Sequence, residues 1–345
     1  MAEIDFSIPY WLLNSYHIIG GSSLIFGIFS IYLIVFESSK IDDFRYFLLN
    51  LQVKSIVSIQ HLILLTSRLF VAFSMQPVLL YPLVSGYIMG FSRYFGGTMY
   101  SCLLICIALI VYQVESIVFC FIRKHQTIAN TLKKYKLPKW FVWSLFIFFV
   151  TALVLLIVFF SRTTVDQDKR FEYINEHFPQ YLTSYQSLPN FSIYVADNYF
   201  ITVVLTAVSA GIFSFSILCL IIVNIFRMLS ILKTQISASN YQKHRVAVWS
   251  LLAQFATSSV CFVPPIFYVF IVLIGVNGAQ CECSLLTLWS LNIMKFAVIV
   301  EYLLVIACLH SSLNVAVLVL TFPPYRKFVI SLVRRKSEQG LSVKR

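Results

Sequence analysis

The chain has 345 residues, 59% of them hydrophobic and 12% charged, with a mean hydropathy of +0.84. A soluble domain carries about a quarter charged residues, so the composition excludes one and defines an integral membrane protein. The net charge of +12 sits beside apolar blocks, where membrane insertion and anionic headgroups account for it, and no nucleic-acid partner is expected.

Seven long apolar blocks divide the chain, at roughly residues 11 to 36, 46 to 73, 83 to 122, 140 to 161, 198 to 226, 246 to 275 and 285 to 321. At about 1.5 Å per residue each is long enough to cross a hydrocarbon core of about 30 Å as a helix. They are too long and too uniformly apolar for barrel strands of about ten alternating residues. The expected fold is therefore all-α: a single seven-transmembrane helix bundle over residues 1 to 321, followed by a cytoplasmic tail from 322 to 345. If the first gap is cytoplasmic, segments 37 to 45, 123 to 139, 227 to 245 and the tail hold 19 of the 26 Lys and Arg, against Arg162, Lys169 and Arg170 in the opposite segments. Basic loops stay cytoplasmic during insertion, so the N-terminus is expected outside and the C-terminus inside.

In chain order, the first block follows Glu3 and Asp5 rather than a basic stretch, and no small-residue cleavage site follows it, so it reads as a retained helix and not a signal peptide. In the third block, Arg93 is expected about two turns inside the outer end. Glu115 occupies its inner third, either as an ionic lock to basic residues of the inner loops or as a hydrogen-bonding group among helices. The uncharged stretch from Trp140 to Phe160 is the cleanest span. The outer segment from Arg162 to Asp197 either caps the outer mouth or is a solvated connector, and its Asn190-Phe191-Ser192 is a glycosylation sequon that agrees with an outside placement. Pro264 and Pro265 interrupt the backbone ladder of the sixth block and mark a bend.

Lys295 and Glu301 fall in the seventh block. A charge in hydrocarbon is costly unless it faces the bundle interior or water. Arg93, Lys295 and Glu301 are therefore candidate ligand-binding residues of the outer half, with snorkelling as the alternative for the two cations. Past Pro323 and Pro324, basic and apolar residues alternate as in a short amphipathic helix on the inner leaflet. Six of the eight cysteines sit in apolar blocks and none lies between residues 162 and 197, so no disulfide can join the third helix to that loop. Cys281 and Cys283 lack the further ligands a metal needs, and neither a metal nor another cofactor is expected.

The run Met75-Gln76-Pro77-Val78-Leu79-Leu80-Tyr81-Pro82-Leu83-Val84-Ser85-Gly86-Tyr87-Ile88-Met89-Gly90 resembles the proline-spaced Gly-Tyr-x-x-Gly motif of nematode serpentine chemoreceptors, between their second and third helices. His310-Ser311-Ser312-Leu313-Asn314 followed by Pro324-Tyr325-Arg326 is similar to their C-terminal signature, and Gln113-Val114-Glu115 with Arg123-Lys124-His125-Gln126 most closely resembles class I (Sri), a relative of class H (Srh). The resemblance covers essentially the whole chain. It implies a G-protein-coupled chemosensory receptor in the plasma membrane of sensory neurons, in their cilia, with a small-molecule ligand and a heterotrimeric G protein as partners in the lipid bilayer. It also implies that Asn314, Tyr325 and Arg326 belong to the inner switch region. One departure stands out: no Arg follows Glu115 directly, and Arg123 lies two turns further on.

The alternative is a multi-span transporter or channel using midplane charges such as Glu301. No internal repeat is evident, seven spans do not halve, and the charge split opposes an N-terminus inside. An enzyme is not expected, because scattered His17, His61 and His310 form no catalytic or metal motif.

Overall fold

The computed structural model describes residues 6–35, 66–67, 69–80, 84–188, 190–195, 197–278, 299, 301–306, 308–309, 312–313, 315–317, 319–321 and 326–331; for 33–35 and 261–278 it describes the backbone alone. Long helices dominate: α1 (Tyr10–Val35), α2 (Met99–Leu132), α3 (Lys139–Thr163), the short α4 (Arg170–His177) and α5 (Leu182–Gln186), then α6 (Asn198–Gln235) and α7 (Ala238–Gly278). Helical stretches at 301–306, 315–317 and 319–321 belong to the seventh block, and 326–331 to the tail. Among the described residues, α1, α2, α3 and α6 are long and apolar enough to cross a membrane. Their outward faces carry Ile18, Ile25, Leu205, Leu220 and Val223, all well exposed, which in place of charges is the surface of a helix solvated by lipid.

Helix ends follow local chemistry. Lys133 closes α2 in the left-handed conformation at φ 56, and Pro138, lacking an N–H, directly precedes α3. The Asp197 carboxylate accepts from the Phe200 N–H at 3.1 Å and opens α6. Only Ile236 and Ser237 separate α6 from α7, so the two run antiparallel as neighbours. The main core lies where α2, α3, α6 and α7 meet, around Phe121, Ile128, Phe149, Ile225, Leu232 and Val248.

The first and last helices run parallel. Ring contact joins Trp11 to Tyr302 at 5.0 Å, Ser23 Oγ meets Ser312 Oγ at 3.3 Å, and Tyr32 contacts Phe328 at 6.2 Å, so residue numbers climb together along both. Alternating spans meet that condition only with an odd number of crossings.

One end of the bundle carries a small antiparallel sheet, order β1 (Pro77–Leu79), β2 (Ser85–Ile88), β3 (Ser192–Ile193). Val78 pairs with Tyr87 and Gly86 with Ser192. A six-residue π-helix, Phe70–Met75, leads into β1, and a 3-10 helix, Phe91–Phe95, follows β2. The third apolar block therefore does not form one helix from residue 83. Its first part buries Tyr87 and Ile88 in this sheet, and α2 begins only at Met99. A strand buried on both faces and a spanning helix are equally apolar, so hydropathy alone cannot separate them.

Candidate functional site

The two ends of the bundle differ in construction. At the capped end, residues 162–197 do not form a loose connector. They pack α4, α5 and β3 against the hairpin in a separate core of Val78, Leu80, Tyr87, Ile174, Tyr185, Phe191 and Ile193. Tyr185 OH and Ser85 Oγ lie 2.7 Å apart inside it. Burial pushes the Tyr185 phenol up to about 12, so it holds that bond in its neutral form. The Arg170 guanidinium lies 4.5 Å from the Phe191 ring centroid and donates to the Phe191 carbonyl at 3.2 Å.

Hydrogen bonds fix this cap to α2. A helix leaves its first N–H groups unpaired, and here four find acceptors. Thr98 N–H donates to Ser101 Oγ at 3.0 Å, Met99 N–H to the Asn190 carbonyl at 3.3 Å, Tyr100 N–H to Ser192 Oγ at 3.2 Å and Ser101 N–H to Thr98 Oγ1 at 3.2 Å. Asn190 Nδ2 donates to the Arg93 carbonyl at 3.3 Å. The sequon thus lies in the cap, with Asn190 half-buried and Ser192 in β3.

The glycines of the Gly-Tyr-x-x-Gly run are set by close backbone approach. A Cβ on Gly86 would lie 2.8 Å from the Val78 carbonyl oxygen, and one on Gly90 would collide with the Ser74 carbonyl.

Beneath the cap, α1, the π-helix and the seventh helix bring polar groups together. Tyr16, fully buried, donates its hydroxyl to the Pro77 carbonyl at 3.1 Å and lies within electrostatic reach of Glu301 and Cys308. Gln76 is buried in the left-handed conformation at φ 43; its Nε2 donates to the Ala72 carbonyl at 3.0 Å and lies 3.3 Å from His17 Nε2. Glu301 is half-buried beside this group.

At the open end the helices outrun the membrane. With 34, 38 and 41 residues, α2, α6 and α7 are about 51, 57 and 62 Å long, against a hydrocarbon core of about 30 Å. Their ends bury polar side chains: Lys124 at 6% exposure, His125 at 2% and His244 at 8%, with Lys124 and His244 interacting electrostatically between α2 and α7. Ser250 Oγ and Thr321 Oγ1, 2.9 Å apart, tie α7 to the helical stretch at 319–321 there.

The predicted site residues are scattered between these ends. Arg93 is not inside the third helix. It lies in the 3-10 helix before it, half-exposed, with its guanidinium on Tyr94 OH at 2.6 Å, because Gly96 at φ 74 and the Thr98 cap delay the helix start. Glu115 is near the middle of α2, half-buried, and no cation among the described residues lies within ion-pair distance of it. Arg123 is exposed on α2, and Arg326 is exposed in the tail helix. The backbone of α7 stays helical through Pro264 and Pro265. Lys295, Asn314 and Tyr325 lie outside the described residues.

The sequence reading missed Lys124 and Gln76. For Lys124 the signal existed: Gln113, Ile117, Cys120, Lys124 and Ile128 fall on one helical stripe, and all are buried. For Gln76 none did, since its burial comes from the π-turn folding onto α1.

A parallel first and last helix, an odd number of crossings and one capped end describe a helical membrane bundle, and the comparisons with known proteins say which kind. The solved structure of squid rhodopsin is similar in fold, with a TM-score of 0.51 at 12% identity over 95% of this chain and 85% of that one. Residues 2–329 match the family described as serpentine type 7TM GPCR chemoreceptor Sri, and the chain belongs to that family. No curated protein matches it. That membership makes it a receptor of the seven-helix G-protein-coupled type.

Proposed function

We propose that this receptor takes a small molecule in the outer half of the bundle, beneath the cap, and transmits its binding to a heterotrimeric G protein at the open end. The observation that carries the proposal is the asymmetry of the two ends. One is closed by a packed lid over a polar cluster, while the other presents three helices that project beyond the bilayer. In this reading the capped end faces outside, which the basic-residue distribution and the sequon in the cap support. Glu301, with Lys295, is the ligand-facing charge, and Arg93 belongs to the rim of the cap. Asn190 is the glycosylation site, modified before its amide closes onto Arg93.

A ligand acts at the far end only through a difference in affinity between two arrangements of the bundle. Glu115, Arg123, Pro264, Pro265, Asn314, Tyr325 and Arg326 make up the switch and coupling set, to which buried Lys124 and His244 are added. The site of action is the plasma membrane of sensory cilia.

The test is expression in a heterologous cell with a panel of volatile and water-soluble chemicals, reading G-protein activation alongside solute uptake and ionic current. Ligand-evoked G-protein activation that Glu301→Gln weakens is the expected result. Uptake or current without G-protein activation would replace the receptor mechanism with transport.

A further inference from the structure

A cavity of about 210 Å³ lies at the open end, between the C-terminal part of α2, the connection to α3 and the face of α6. Its lining is graded by depth. Buried His125 and Met228 form the floor, half-buried Leu137 and Ile231 the walls, and exposed Lys136, Arg227, Asn224 and Tyr135 the rim. On α6, Asn224, Arg227, Met228 and Ile231 recur at helical spacing and so share one face. The opposite wall is held by Gln126, whose Nε2 donates to the Leu137 carbonyl at 2.8 Å.

Three observations define the occupant's chemistry. Among the described residues, cations and neutral donors line the cavity and no carboxylate does, so it favours an anion with several acceptor oxygens. His125 is 2% exposed and its Nδ1 has no hydrogen-bond partner among the described residues, which leaves the imidazole with spare bonding capacity at the floor. The volume is below the roughly 300–1,000 Å³ of pockets that enclose a drug-sized ligand, so it suits a compact group. Depth points to the source. Trp140 and Trp143, 70% and 64% exposed in the first two turns of α3, follow just after Lys136 and Leu137, and exposed tryptophans at the end of a span are the residues that favour headgroup level.

We infer that this cavity is a phosphate-binding site for the headgroup of a membrane phospholipid, with Arg227 and Lys136 neutralising the phosphate, Asn224 donating to it and His125 beneath it. Basic pockets between spans at the cytoplasmic side have this use in general. Assignment to the cytosolic leaflet rests on the orientation proposed above, whereas the chemistry of the site does not.

The test is native mass spectrometry of the full chain from mixed micelles containing either a phosphatidylinositol monophosphate or phosphatidylcholine, with inorganic phosphate as competitor. The native chain is expected to retain the anionic lipid preferentially. Lys136→Ala combined with Arg227→Ala, both exposed and safe for folding, should weaken retention roughly twenty-five-fold, each surface cation contributing about fivefold. His125→Phe supplies a second variant, and thermal melting reports whether it folds; a folded variant with native retention removes His125 from the site. Displacement of lipid by millimolar phosphate supports the same chemistry with a free-phosphate source. Equal retention of both lipids, or full retention in the double variant, would overturn the site. G-protein activation is read separately, so loss of the site and loss of the receptor mechanism give different results.

Discussion

Gly90 shows how a single position can hold the cap. Its missing side chain lets β2 leave the sheet directly against the Ser74 carbonyl, while Ser74 Oγ and Ser92 Oγ lie 2.5 Å apart beside it. Gly90→Ala should cost about 1–3 kcal/mol, because backbone rather than a movable side chain meets the added methyl. Thermal melting of the solubilised receptor checks this, and an unchanged melting point would mean that the hairpin can shift freely. Glu115 is a different kind of residue, a carboxylate mid-way along a spanning helix with no described cation in reach. If it contributes to the inactive arrangement, Glu115→Gln raises ligand-independent signalling at matched surface expression; unchanged basal output assigns it to packing alone. Neither role is legible from the residue itself. The glycine needs the neighbouring backbone, and the carboxylate needs the surrounding helices.

At the scale of elements, the cap and the start of α2 form one unit. Rhodopsin-like receptors commonly use a disulfide from the third helix to the second outer loop; here the cysteine pattern rules that out and hydrogen bonds from Met99 and Tyr100 to Asn190 and Ser192 take its place. Ser192→Ala strands the Tyr100 N–H and should destabilise the receptor by about 1–3 kcal/mol. Ser192→Thr keeps both the hydroxyl and the sequon, and should keep most of the stability. Comparing the two before and after enzymatic deglycosylation separates the hydrogen bond from any glycan, and equal stability of all forms would show that the bond carries nothing. In α7 the helix persists through two prolines, each of which removes an N–H from the ladder. Replacing Pro264 and Pro265 together with Ala should impair the ligand response while surface expression survives; an intact response removes the bend from the mechanism.

For the whole molecule, the rising register of α1 against the helical stretch of the seventh block means that the two run in the same direction. The charge distribution and the Asn190 sequon are the arguments for which side is which. A C-terminal epitope tag should be reached by antibody after permeabilisation and not before, and an N-terminal tag in intact cells. The opposite pattern would invert the assignment of both the lid and the coupling face.

Composition and hydropathy established that the chain lives in a bilayer as a helical bundle, since only helices satisfy so many apolar residues' backbone groups in hydrocarbon. Local motifs carried the family resemblance, and helical periodicity held enough information to place Lys124 on a buried stripe. Sequence could not separate a buried strand from a spanning helix, because both are apolar, and so Arg93 was expected in the bundle rather than in the cap. Tertiary structure decided that residues 162–197 form a lid, that α2 starts at Met99, and that His125, Lys136 and Arg227 surround one cavity. Those facts depend on contacts between segments tens of residues apart, which no local pattern of polarity encodes.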